Sequence, residues 1–213
     1  MPDSLENLLP GHRVDEYRAK GVICEPHGEG TPFLFWLVSG SAASFRTEAG
    51  QGRTLIDYLP PGELFTGYEV PVSRIPAAGV RARGGCRVAR LPWWEFLERC
   101  QQAPQLFERY AADCARRLER TEEKAHSLVT EDVSARLLEA LHRLAELPGT
   151  QPHTAGTLIR VTRRELGQYA GCSREVAGRV LKALQAEGRV RLEGQSVVLC
   201  AESGEGADSS TGT

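Results

Sequence analysis

The chain has 213 residues, of which 41% are apolar and 25% charged, with a formal net charge of −2. That length suits one large domain or two modest ones, each burying its own core. No stretch approaches the roughly 20 apolar residues of a membrane span. The opening MPDSLENLLPGHRVDEYR lacks a basic start followed by an apolar run, so no secretory signal is read and the cytoplasm is the expected location.

In chain order, residues 14–91 read as short strands. LFWLVSG, SAASFR, RTLIDYL and Cys86–Leu91 are apolar or alternating runs separated by Gly and Pro turns, a pattern that predicts an all-β roll or sandwich. From residue 92 the period changes. PWWEFLERC reads as a short helix, and Pro104 opens a long one at its first turn. Within it Phe107, Ala111, Cys114, Leu118, Thr121, Ala125 and Leu128 form an uninterrupted heptad seam flanked by charges, the pattern of a two-stranded dimer contact. Thr130 or Asp132 caps a further helix, 133–147, with Val133, Leu137, Leu138, Leu141 and Leu144 on one face. Pro148-Gly149 stops it. The last eleven residues carry no apolar content apart from Ala207 and are expected to be disordered.

The charge is unevenly spread. Residues 160–191 hold eight Lys/Arg and three acids, +5 locally against about −7 for the rest, and a basic module on an acidic body points to a polyanionic partner. Thr162-Arg163-Arg164-Glu165 is a capping box that starts a helix with Leu166 and Tyr169 inward. Ala170-Gly171-Cys172 makes a sharp turn, and Ser173 caps a second helix, Arg174 to about Glu187, with Val176, Val180, Leu181 and Leu184 as its buried face. Arg174, Glu175, Gly178 and Arg179 are then the exposed positions at its start. A helix presents such residues to base edges in the major groove of double-stranded DNA, where Arg bridges guanine O6 and N7 and Glu accepts from cytosine N4. RVRLEGQSVVL reads as a two-strand wing with Glu193-Gly194 at its turn.

VTRRELGQYAGCSREVAGRVLKALQAEGRVRLEGQSVVL resembles the DNA-binding domain of the Crp–Fnr family of transcription regulators, with GCSRE followed by GR as its most specific part. The resemblance extends back through ARRLERTEEK and Glu131-Asp132-Val133 to LFWLVSG, roughly residues 12–200. It implies an α+β chain: a β-roll like that of cyclic-nucleotide-binding domains (1–103), a dimerisation helix (104–131), a winged helix-turn-helix (132–202) and a tail (203–213). It also implies a homodimer on a palindromic site, activation through RNA polymerase, no enzymatic activity, and a hinge at Asp132. Carried over, Arg174, Glu175 and Arg179 read a TGTGA-type half-site. Thr162, Arg163 and Ser173 match phosphate-holding positions, and Lys182 sits where a further backbone contact forms.

The sensor half departs from the family. The Gly-Glu and Arg-Ser pairs that hold a cyclic nucleotide fall here at Thr66-Gly67 and Pro76-Ala77, and Gly62-Glu63 lies too early to substitute. Arg74 is a candidate replacement cation. Where the family places Thr-Ser against the adenine, this chain has Thr121-Glu122. Cyclic AMP is therefore not expected as effector. The oxygen-sensing branch uses an N-terminal cysteine cluster that is absent here, with Ala89 at its later cysteine position. Cys86 and Cys172 match core cysteines of the family. Cys24, Cys100 and Cys114 stay open between buried filler, ligands of an iron–sulfur cluster and redox thiols, and a haem held by a single histidine also stays open.

Overall fold

The computed structural model describes Leu5 and residues 12–25, 32–48, 52–66 and 79–201. Gly67, Arg74, Pro76-Ala77 and the 203–213 tail lie outside the described residues. Eight strands come first: β1 (Arg13–Tyr17), β2 (Val22–Cys24), β3 (Phe33–Ser39), β4 (Ala42–Glu48), β5 (Gly52–Leu59), β6 (Leu64–Thr66), β7 (Gly79–Ala82) and β8 (Cys86–Pro92). They pair antiparallel into two sheets, β1-β8-β3-β6 and β2-β7-β4-β5. The chain crosses between sheets, and the result is the expected β-roll.

Strand alternation divides the apolar run of β3 between two cores. Phe35 and Leu37 point between the sheets, where they meet Leu59, Phe65, Val80 and Val88. Leu34 and Trp36 point outward and meet Leu64, Leu91, Phe96 and Leu106. That outer face is covered by α1 (Trp93–Gln102) and α2 (Pro104–Thr130). A strand buried on both sides must be apolar throughout, and each leucine so covered is worth about 1.5–3 kcal/mol.

α2 carries two parallel heptad stripes, offset by one residue. Leu106, Tyr110, Asp113, Arg117, Arg120, Lys124 and Ser127 are buried or half-buried. The expected seam is the other stripe. Phe107, Leu118 and Leu128 on it are 49%, 59% and 45% exposed within the protomer.

After α2 the chain extends at Glu131, and Asp132, not Thr130, caps α3 (Val133–Ala145) by accepting from Ala135 N at 2.9 Å. Arg136 braces this junction, donating to Glu131 O and, at 2.8 Å, to Ala170 O. A hairpin that the sequence reading lacks follows, β9 (Gln151–His153) and β10 (Gly156–Arg160). Its first strand has three residues including Pro152 and sits at a sheet edge, where a proline is tolerated. Next come α4 (Arg163–Ala170), α5 (Arg174–Ala186), β11 (Val190–Glu193) and β12 (Ser196–Cys200), with the sheet ordered β11-β12-β10-β9.

One core joins this C-terminal module to the roll. Leu137, Leu141, Leu144, Leu166, Leu181 and Leu184 cluster with Ala43, Leu55 and Tyr58 of β4 and β5. A bulge makes this geometry available. Ser44 pairs with Asp57 and Phe45 with Leu55, leaving Ile56 as an extra, unpaired residue. The parity of β5 changes there, so Leu55 and Tyr58 both reach the module while Leu59 points into the roll.

Candidate nucleic-acid interface

The helix-turn-helix is built from local bonds. Thr162 Oγ1 accepts from Glu165 N at 3.2 Å, and Glu165 Oε2 accepts from Thr162 N at 3.0 Å, the reciprocal pair of a capping box. α4 ends at Gly171, φ +69°, in the left-handed region that glycine enters without a Cβ penalty. Gly167 is a second glycine that this turn requires, and local sequence pattern does not reveal it. A Cβ there would lie 2.8 Å from Cys172 O and 3.2 Å from Ser173 O, so only glycine lets the turn fold back this closely. Ser173 caps α5, its Oγ accepting from Val176 N at 3.2 Å.

The inner face of α5 is Ala177, Leu181 and Leu184. Val176 and Val180, expected there, are only half-buried, and the small Ala177 between them is fully buried instead. The wing turn is also one residue later than expected. Glu193 pairs with Ser196, leaving Gly194 (φ +59°) and Gln195 as the two turn residues.

Arg163, Arg174, Glu175, Gly178, Arg179 and Lys182 line one open groove. All but Gly178 are exposed. Arg163 lies over Gly178, where a Cβ would meet its Cδ at 3.6 Å, an ordinary packing distance. Among the described residues Arg179 and Lys182 make no hydrogen bond or ion pair, so their donors are free for an outside partner. Glu175 is held below the usual carboxylate range by its own backbone N–H and the Ser173 hydroxyl, with Arg174 adding to the effect. It is therefore an acceptor at neutral pH. A second cleft joins Thr162, Arg163, Arg164 and Arg174 to the wing turn at Gly194–Ser196. Thr162 and Ser173 are exposed at the two helix starts, where backbone N–H groups and the dipole favour anions.

Away from this face, Cys24, Cys100 and Cys114 are not brought together. Cys24 lies in the roll core, Cys100 sits on α1 against the outer cluster, and Cys114 is on α2. Among the described residues no three His, Cys, Asp or Glu side chains are placed to share a metal. Burial pushes the Cys24 thiol up to about 12 and the Cys86 thiol up to about 11. Such thiols are poor nucleophiles and poor ligands.

Beyond the apolar contact at Leu106 and Tyr110, the roll meets α2 through polar groups. Arg109 donates to Gly62 O, Asp113 accepts from Leu64 N at 3.0 Å and pairs with Arg109 and Arg116, and Lys124 donates to Ile56 O at 3.0 Å. Arg120 bridges Asp57 and Glu63. Glu63, set aside as a nucleotide ligand on spacing, is thus committed within the chain. Burial pulls the Arg120 guanidinium down, but the two carboxylates outweigh it and hold it above its usual value. Thr121 and Glu122 are exposed, with Thr121 Oγ1 donating back to Arg117 O.

A capped two-helix motif, a basic outward helix start and a β-wing on one compact core define a winged helix-turn-helix DNA-binding regulator. The Crp-like helix-turn-helix domain family matches residues 135–203. The chain is 33% identical over 200 residues to the cAMP-activated global transcriptional regulator CRP of Escherichia coli, covering 92% of this chain and 93% of that one. It is 32% identical to the cAMP-activated global transcriptional regulator Vfr of Pseudomonas aeruginosa, covering 92% of each. Among solved structures, the c-di-GMP-responsive global regulator CLP of Xanthomonas campestris superposes with a TM-score of 0.76 at 29% identity, covering 93% of this chain and 98% of that one. The chain belongs to the Crp–Fnr family of transcription regulators. No helix among the described residues is long and apolar enough to cross a membrane.

Proposed function

We propose that the protein is a homodimeric transcription activator that reads a palindromic TGTGA-like site. Arg174, Glu175 and Arg179 reach base edges, while Thr162, Arg163, Ser173 and Lys182 hold phosphates. The observation that carries this reading is the groove on α5: exposed Arg179 and Lys182 with no hydrogen bond or ion pair among the described residues, beside an ionised Glu175. The exposed seam of α2 supports the dimer. Phe107, Leu118 and Leu128 are costly in water and sit at coiled-coil spacing. Parallel pairing along that seam would place two modules on successive major grooves about 34 Å apart. Activation by contact with RNA polymerase, in the cytoplasm, and the absence of an enzymatic activity follow the family's usual mode.

Control by cyclic AMP is not part of this reading. The family's ribose and phosphate ligands have no counterparts at Thr66-Gly67 and Pro76-Ala77, and Glu122 would add an anion beside an anionic nucleotide. The second reading, gating by a cyclic nucleotide, is favoured by the identity to two cAMP-activated regulators. Fluorescence anisotropy on a TGTGA palindrome, a scrambled duplex and each duplex with cyclic AMP tests both. The expected result is a dimer that prefers the palindrome at least a hundredfold without nucleotide. Equal binding to both duplexes under every condition sinks the first reading, and preference appearing only with cyclic AMP establishes the second.

A further inference from the structure

We propose that the buried Asp57–Arg120–Glu63 ion triad is a built-in strut that sets the orientation of the winged helix-turn-helix, which makes Arg120 a positioning residue for DNA recognition. The proposal rests on the DNA-binding reading above. Arg120 Nε donates to Asp57 Oδ2 at 2.9 Å, and Nη2 donates to both oxygens of Glu63 at 3.0 Å. All three side chains are largely buried, with 14%, 12% and 4% exposure for Arg120, Asp57 and Glu63. Arg117 adds a longer contact to Glu63 at 3.5 Å.

The strut is linked to the DNA-binding module by adjacent residues. The bulge leaves Ile56 without a ladder partner, and its free carbonyl accepts from Lys124 Nζ, one turn beyond Arg120 on α2. The same ammonium lies 4.3 Å from the centre of the Tyr169 ring on α4. Tyr169 in turn packs on Tyr58 at 5.1 Å between ring centres, and Tyr58 follows Asp57 directly. The tripeptide Ile56-Asp57-Tyr58 therefore touches α2 through two of its members and α4 through the third. Gln168 of α4 donates to Arg53 O at 3.0 Å, and Arg83 of the roll donates to Arg160 O at 3.3 Å, so the docked position is held on either side. Any slide of α2 along β5 must be felt at α4, and α4 carries α5 through the shared core.

The chemistry favours a role in register over one in stability. Replacing a buried ion pair by apolar side chains of similar size is often neutral or stabilising, whereas removing one partner leaves an uncompensated charge. A forked Arg–carboxylate contact differs from an apolar one in fixing both distance and direction. It holds one register of α2 on the roll, and it does so with groups of the chain itself.

The test uses the full chain with two variants. Asp57→Val/Glu63→Met/Arg120→Met replaces the strut with an apolar contact, and Arg120→Lys keeps the charge without the fork. Thermal unfolding, anisotropy on the palindromic and scrambled duplexes, and hydrogen exchange of the α4 amides are measured. The triple variant is expected to unfold near the wild-type temperature, to bind the palindrome at least tenfold more weakly with unchanged affinity for the scrambled duplex, and to exchange faster over residues 166–171. Arg120→Lys should show a smaller loss in the same direction. A folded triple variant with wild-type affinity and wild-type exchange at α4 overturns the strut. If the triple variant does not fold, wild-type behaviour of Arg120→Lys overturns it instead. If the wild-type chain fails to prefer the palindrome, the DNA-site reading falls, and the exchange data alone decide the strut.

Discussion

Replacing Arg179 by alanine separates recognition from folding more cleanly than any other change in the groove. Arg179 is exposed on α5 and makes no hydrogen bond or ion pair among the described residues. Its loss removes nothing from the folded protomer, and alanine is the better helix former, so stability should move by less than about 0.5 kcal/mol. If the guanidinium bridges one guanine in the complex, affinity for the palindrome falls by about 1–3 kcal/mol per half-site contact, or about 5- to 150-fold. Preference at that base pair should relax while binding to a scrambled duplex stays put. Anisotropy titrations over a salt series add a second criterion. A base contact leaves the slope of log K against log salt nearly unchanged, whereas each lost phosphate contact lowers it by about 0.9, and Lys182→Ala loses one in each protomer of the dimer. An Arg179→Ala variant that binds both duplexes equally less well, with a reduced slope, would refute the assignment of Arg179 as a base reader.

Three further outcomes follow from the geometry. Gly171→Ala forces a left-handed φ on an L-residue and sets a Cβ 2.3 Å from Leu128 Cδ2; the leucine tip can swing away, so the cost is the backbone term, about 1–2 kcal/mol, seen as a lower Tm by scanning calorimetry. Asp132→Ala removes the cap bond to Ala135 N and should destabilise by about 1 kcal/mol, measured by urea unfolding. Cys24 should resist iodoacetamide in the native chain at pH 8, since a thiol pushed up to about 12 is only about one part in ten thousand thiolate there; mass spectrometry showing rapid native labelling would contradict its burial.

What could be read from the sequence depended on whether a feature is local. The capping box, the turn at Gly171, the Ser173 cap and the basic start of α5 are each written within a few consecutive residues, and they stand where local chemistry places them. Gly167 escaped because its constraint is a carbonyl five residues on that folds back over it, which no periodicity reports. The β9–β10 hairpin escaped because a three-residue edge strand with a proline lacks any strand signature. The long helix is the more instructive case. Hydrophobic periodicity selected Phe107–Leu128, the stripe that the protomer leaves in water, because apolar spacing marks any buried face without saying which partner buries it. The stripe covered by the protomer's own roll is charged beyond Leu106 and Tyr110, and its carboxylate partners Asp57 and Glu63 lie some sixty residues away. A helix that must serve two interfaces cannot be apolar on both without becoming sticky all round. Here the exposed stripe is oily and the covered one mostly ionic, so the sequence displays the face left open to another molecule and conceals the one the protomer covers itself.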